Sequence, residues 1–206
     1  MRTIFAGVLL FVMLLAAGPA QATILTFDDL PGTGVPISSY GGLSWSTYFY
    51  HLDGSLLAYA GTGYDHGRVS PNHVAYNAWE NVVAVSDNVF DFNGAWLTGA
   101  WNDGLNVKVE GWLDAVKKYD QTVTVNTAGA TWFGFEYLDV NRLVFSSEGG
   151  TPNPIAAQRG EGHHFAMDNF TFDQEPVIPE PASLVVWSLL AAAGIGFTYW
   201  RRKRAA

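Results

Sequence analysis

The chain of 206 residues has no cysteine. Disulfide staples, thiol catalysis, zinc–thiolate sites and iron–sulfur clusters are therefore excluded. Basic residues are also scarce, at 11 Lys and Arg against 19 Asp and Glu. Between residues 23 and 178 the balance is six basic to eighteen acidic side chains, a net charge near −12. A partner that needs a basic footprint, nucleic acid or an anionic lipid surface, is excluded on that count. Neutral sugars and divalent cations remain open. No helical periodicity of useful length runs between Thr23 and Gln174, no internal repeat is visible, and no Gly-x-Ser-x-Gly nucleophile motif occurs.

What the chain does have begins at its ends. Arg2 precedes an apolar run over residues 4–17, and Ala20-Gln21-Ala22 places small residues at the two positions that signal peptidase reads. The pattern is that of a secretory signal segment, residues 1–22. At the other end, Pro179-Glu180-Pro181 is followed by nineteen uncharged residues, 182–200, and then by Arg201, Arg202, Lys203 and Arg204. Nineteen helical residues at about 1.5 Å each reach roughly 28 Å, close to the thickness of a bilayer's hydrocarbon core. The basic cluster behind them predicts a transmembrane helix with its C-terminal end on the cytoplasmic side.

Pro-Glu-Pro, an apolar span and a basic tail within the last thirty residues together resemble the PEP-CTERM sorting signal of exported bacterial proteins. That resemblance implies recognition at Pro179, Glu180 and Pro181 by an exosortase, a membrane transpeptidase that processes the tag. It also implies a membrane anchor that lasts until processing, then delivery to the cell surface or extracellular matrix. The working domain is residues 23–175, with the sorting signal over 176–206. The stretches 90–105, 40–45 and 143–147 are similar to segments of other PEP-CTERM proteins, a family with no single activity to carry over.

Between the ends, short β-type runs alternate with Gly, Asn, Asp and Pro. Strands are predicted over 24–27, 43–50, 82–85, 90–100, 105–113, 118–125, 131–137, 142–146 and 163–172. In the clearest of them Leu105, Val107, Val109 and Gly111 share one face, and Asn106, Lys108, Glu110 and Trp112 the other. Aromatic residues at 15% and 22 glycines suit two packed antiparallel sheets with tight turns. The expected fold is all-β, an antiparallel β-sandwich of jelly-roll type, with residues 149–162 as a long surface loop.

Near the C-terminal end of the domain, Phe165 and Met167 share one alternation phase while Phe170 and Phe172 share the other. A β-bulge at Asp168-Asn169 accounts for the slip. If the first and last strands pair, Asp28 or Asp29 approaches Asp168, and carboxylates gathered there suit calcium. The pair of terminal strands resembles those of carbohydrate-binding-like jelly rolls, which implies a structural calcium held by Asp28, Asp29 and Asp168. A turn at Asp28-Asp29 and a strand cap at Asp168 are the alternative reading.

Flat rings could form a sugar platform, and Trp79 and Trp112 are the best placed in sequence. Trp79 lies between polar residues in a connection, and Trp112 falls in the polar phase of its strand. The expected function is an exported, non-catalytic binding or structural domain that contacts exopolysaccharide. The alternative is a polysaccharide hydrolase that uses an Asp/Glu pair.

Overall fold

A computed structural model of the chain describes residues 22–173 and Arg204. By its contacts the chain divides into two units, Met1–Gln174 and Glu175–Ala206, and the strands all belong to the first. The signal segment up to residue 21, the motif Pro179-Glu180-Pro181 and the span 182–200 lie outside the described residues. Among those described, no helix is long and apolar enough to cross a membrane.

The domain is mainly β, and every strand pairing described in it is antiparallel. In chain order the strands are β1 (Thr23–Leu25), β2 (Val35–Pro36), β3 (Ser39–Tyr40), β4 (Leu43–Trp45), β5 (Phe49–Asp53), β6 (His73–Asn77) and β7 (Val83–Gly99). They continue with β8 (Asn102–Asp103), β9 (Leu105–Leu113), β10 (Val116–Val125), β11 (Thr131–Glu148), β12 (Thr151–Pro152) and β13 (Phe165–Phe172). One helical turn, α1 (Gly63–His66), caps the loop between β5 and β6.

Two long strands organise the sheet. The sequence predicts a break near residue 86 and another near 140, yet β7 and β11 each run through as one strand of 17 and 18 residues. The breaks survive as irregularities. Between Val140↔Phe90 and Arg142↔Ser86 the register shifts, and Asp87, Asn88 and Val89 turn to solvent. On β11, Glu136 and Asp139 take positive φ angles beside the same corner. Bulged, polar corners let a strand bend from one sheet into another without ending.

On one side of the corner, β7 pairs with β4 and with the second half of β11, which carries β9 and then β10. On the other side, β7 pairs with β13, which leads to β6, β5 and β2, while β1 closes on the end of β13. The two halves face each other across an aromatic core. Phe145 of the first meets Phe92, Phe49 and Phe165 of the second at ring separations of 5.9–6.1 Å.

The alternation read in β9 is the one observed, with Leu105, Val107, Val109 and Gly111 buried. Gly111 interrupts the apolar row for a steric reason. A Cβ there would come within 2.8 Å of the Tyr137 ring and 3.0 Å of the Tyr119 ring. Those rings stack at 4.4 Å across the site. In β13 the register shifts between Asp168 and Thr171, and Asn169 has φ +50°. The predicted phase slip is therefore a bulge.

Candidate functional site

The outer face of the β5–β6 pair carries a row of aromatic side chains. Tyr50 lies opposite Tyr76 in the register, and their rings meet at 6.0 Å. Further along the same strands Leu52 and Val74 are sealed beneath Tyr64, Trp101 and Ala156 as a second, smaller core. The covering loops stop there. Toward the other end the row stays open: Tyr48 is exposed, and beyond it stands Trp79, 65% exposed.

Trp79 holds its place through its neighbours. Asn77 is buried and accepts the Phe165 N–H at 2.9 Å through its side-chain oxygen. Its amide donates to the Ser147 hydroxyl at 2.9 Å. From that pinned residue the chain makes a short 3-10 turn, Ala78–Glu80, in which Trp79 and Glu80 both occupy left-handed backbone, at φ +53° and +59°. The indole ring then packs edge-on against Tyr50 at 5.1 Å and Tyr48 at 6.0 Å. Two tyrosines thus brace the ring while most of the residue stays exposed. Next to it Glu80 Oε2 pairs with His163 Nδ1 at 2.6 Å. The bond from His163 holds the Glu80 carboxyl below its ordinary value and outweighs the opposing effect of burial. Neighbouring His164 turns elsewhere, to the Tyr64 hydroxyl at 2.8 Å.

No family model matches the chain, and no curated protein does. Among solved structures, that of TmCBM61 in complex with beta-1,4-galactotriose is similar at 10% identity and a TM-score of 0.40. The match covers 67% of this chain and 92% of that one.

Trp112, the other ring singled out in the sequence, sits apart from this row on β9. It is half-buried, its indole N–H donates to Glu110 at 3.2 Å, and the Lys117 ammonium lies 5.8 Å from its ring centre. There it belongs to an ion network: Lys108 and Lys117 each contact both Glu110 and Asp120 at 2.6–3.3 Å. Hydrogen bonds from Lys108 and Lys117 hold the Glu110 and Asp120 carboxyls low. Of the remaining tryptophans, Trp45 and Trp101 are buried.

The three carboxylates expected to hold calcium are divided among different partners. Asp28 and Asp168 do converge on one segment, residues 69–73. Asp168 is fully buried, and its oxygens accept the Val69 N–H at 2.6 Å, the Ser70 N–H at 2.7 Å and the Ser70 hydroxyl at 2.9 Å. Burial pushes the Asp168 carboxyl up, against the pull of those donors. Asp28 Oδ1 accepts the Asn72 and His73 N–H groups at 2.8 and 2.9 Å. Burial acts to raise Asp28 too, but the His73, Ser70 and Asn72 donors outweigh it and the carboxyl is held low. Asp29 faces away and accepts from the Tyr40 hydroxyl at 2.5 Å.

Backbone N–H groups aimed at a carboxylate occupy the lone pairs a cation would take. The donor set of Asp28, Asp29 and Asp168 therefore does not fit a calcium ion in this arrangement. Among the described residues no three His, Cys, Asp or Glu side chains gather as metal ligands. Two buried oxygens in this region do lack a partner, Asp28 Oδ2 and Asn169 Oδ1.

Tyr76, the Glu80–His163 pair and Ser147 carry no local signal in the sequence. Glu80, Ser147 and His163 are distant in the chain and meet through the Glu80–His163 pair and the bond from Ser147 to the His163 carbonyl.

Proposed function

We propose that the domain is a non-catalytic carbohydrate-binding β-sandwich of jelly-roll type, which contacts exopolysaccharide through Trp79 and the tyrosines beside it. The observation that carries this reading is an exposed indole on left-handed backbone, braced edge-on by Tyr48 and Tyr50. Left-handed non-glycine residues cost on the order of 1 kcal/mol or more each, and such strain collects at binding sites. An exposed flat ring also costs favourable burial, which the C–H face of a pyranose restores on stacking. The Glu80–His163 pair lies where it can bond sugar hydroxyls. The acidic surface suits a neutral glycan.

Trp79→Ala is expected to weaken binding to a neutral polysaccharide by about 2 kcal/mol, roughly thirtyfold. Affinity electrophoresis of the full chain in gels containing galactan or glucan reads this directly. Equal retardation of wild type and variant would end the proposal.

A hydrolase is the less favoured reading. Glycosidases need one protonated carboxyl facing an ionised one at roughly 5–9 Å. Glu80, Glu110 and Asp120 are all held low by cationic or histidine partners. The raised carboxyl, Asp168, is sealed beneath residues 69–70.

Export by signal peptidase and sorting by an exosortase, with membrane anchoring until processing, is proposed from the terminal motifs alone. A C-terminus intact through Ala206 in surface-released protein would remove the exosortase step and return the segment to a plain anchor. The structural calcium expected at Asp28, Asp29 and Asp168 is not carried forward, because N–H and hydroxyl donors already meet those carboxylates. Coincident melting curves in calcium and in chelator are the expected result.

A further inference from the structure

Two tryptophans that the Trp79 platform does not use stand together where the first half of β11 pairs with the end of β7. Trp132 and Trp96 are direct partners in the register, with rings 6.1 Å apart and inclined at 58°. Trp132 is 39% exposed and Trp96 is half-buried. We infer that this pair, with Glu136, is a second binding site for a neutral pyranose, separate from the one at Trp79. It shares with the platform only the class of ligand.

The seat of the indole is built from glycine. Gly94 and Gly134 face each other in the register, two residues along from the tryptophans. Glycine inside a strand weakens it, and often marks a place where something must approach the backbone closely. At Gly94, which is buried, that something is the indole. A Cβ there would come within 2.7 Å of Trp132 Cζ2 and 3.0 Å of Cη2, so the six-membered ring rests where a side chain would stand.

Gly134 is different. It is exposed, and the nearest atoms to a Cβ built there are Trp132 Nε1 at 3.6 Å and Glu136 Oε1 at 3.7 Å, ordinary contact distances. Protein packing therefore leaves room for a methyl group at this position. The result is an open notch within reach of one N–H donor and one carboxylate acceptor. Among the described residues no acceptor meets the Trp132 N–H. Glu136 stands on left-handed backbone at φ +50°, and its Oε2 accepts the amide of buried Asn93 at 3.4 Å.

A sugar hydroxyl both accepts and donates. One hydroxyl over Gly134 can take the Trp132 N–H and give its own proton to Glu136, while the ring's C–H groups lie against the indole. Rings inclined at 58° make a shelf with a side wall rather than the cage of ring faces that suits a methylated ammonium. The carboxylate repels an anionic sugar. A neutral pyranose is the ligand that fits.

The site is distinct from the platform. The register sets Trp132, Trp96 and Asp168 side by side, and Thr98, Ala166, Tyr76 and Tyr50 in the next row. Thr98, Ala166 and Asp168 lie between the two sets of rings, and all three are buried. Gly67 packs on Thr98, and residues 69 and 70 bond Asp168. The end of α1 and the loop behind it thus stand between the sites.

The test is calorimetric titration of the full chain with neutral galacto- and gluco-oligosaccharides, read for stoichiometry as well as affinity. Wild type is expected to take two oligosaccharides per chain. Gly134→Ala fills the notch at a position whose φ lies outside the left-handed region. It is expected to weaken this site about tenfold, with an unchanged or raised melting temperature. Trp132→Ala is expected to remove the site, and Gly134→Ala carries the test if Trp132→Ala does not fold. Trp79→Ala is expected to leave this site intact. A stoichiometry of one that Trp79→Ala abolishes and Gly134→Ala leaves untouched overturns this inference while the platform stands. The opposite pattern overturns the platform while this site stands. Absence of binding overturns both.

Discussion

Asp168→Ala is expected to destabilise the domain by about 3–5 kcal/mol. For a domain of this size that is a fall in melting temperature of roughly 10 °C. The carboxylate is fully buried one residue before the bulge in β13, and both its oxygens are engaged. Its partners are not strand neighbours but the N–H groups of Val69 and Ser70, about a hundred residues earlier in the chain. The Ser70 hydroxyl bonds Asp168 on one side and the Thr26 carbonyl on the other. A single side chain thus ties the loop after α1 to the last strand and to the residue that follows the first. Alanine would leave two N–H groups and a hydroxyl facing a void. Asp168→Asn should cost less, since one oxygen remains, but its amide group would confront donors. Hydrogen exchange gives the local check: the Val69 and Ser70 amides should lose protection first in either variant. A melting temperature within about 3 °C of wild type for Asp168→Ala would rule out the anchor.

Phe92→Ala is expected to cost about as much, roughly 3–5 kcal/mol, for a different reason. Phe92 is fully buried in β7, stacked on Phe170 at 4.8 Å and on Phe135 at 5.3 Å. Phe145 and Tyr137 close on its edges at 6.1 and 6.2 Å. Those rings come from β11 and β13, on both sides of the corner where β7 changes sheet. Their backbones are held by ladder hydrogen bonds, so they cannot collapse into the space a benzyl group leaves. Val89→Ala, three residues away on the exposed part of the same strand, should change stability by no more than about 0.5 kcal/mol. Chemical denaturation of the two variants side by side separates core packing from a general effect of altering β7. Equal midpoints would contradict the packing described.

Local patterns suffice where one periodicity decides the outcome. In β9 the two-residue alternation assigns faces, and the burial follows it residue by residue. The bulge at Asp168-Asn169 is legible too, because a phase slip between aromatic pairs leaves a mark in the sequence. The corners of β7 and β11 look like gaps instead. Polar residues look the same whether a strand ends or merely bends, and only pairing with a neighbour on each side tells the two apart. β6 escapes a local reading because His73, Tyr76 and Asn77 dilute its apolar pattern. Asn77 is buried on account of its bonds to Phe165 and Ser147 rather than its polarity.

The candidate residues divide along the same line. Trp79 and Trp112 look alike in sequence, each a ring among polar neighbours. Trp79 stands exposed, while Trp112 lies among Glu110 of its own strand and Lys117 and Arg142 of the adjacent ones. Pairing of the terminal strands does bring Asp28 and Asp168 toward one place, but no local pattern shows that amide N–H groups reach their oxygens first.

The sequence by itself determined the β class, the acidic and cysteine-free chemistry, the face assignment of β9 and the site of the bulge. Each follows from composition or from a period spanning a few residues. Only the tertiary structure decided which ring is exposed and which carboxylate anchors a loop. Those outcomes depend on groups far apart in the chain competing for the same hydrogen bonds and the same surface, a competition that no local pattern encodes.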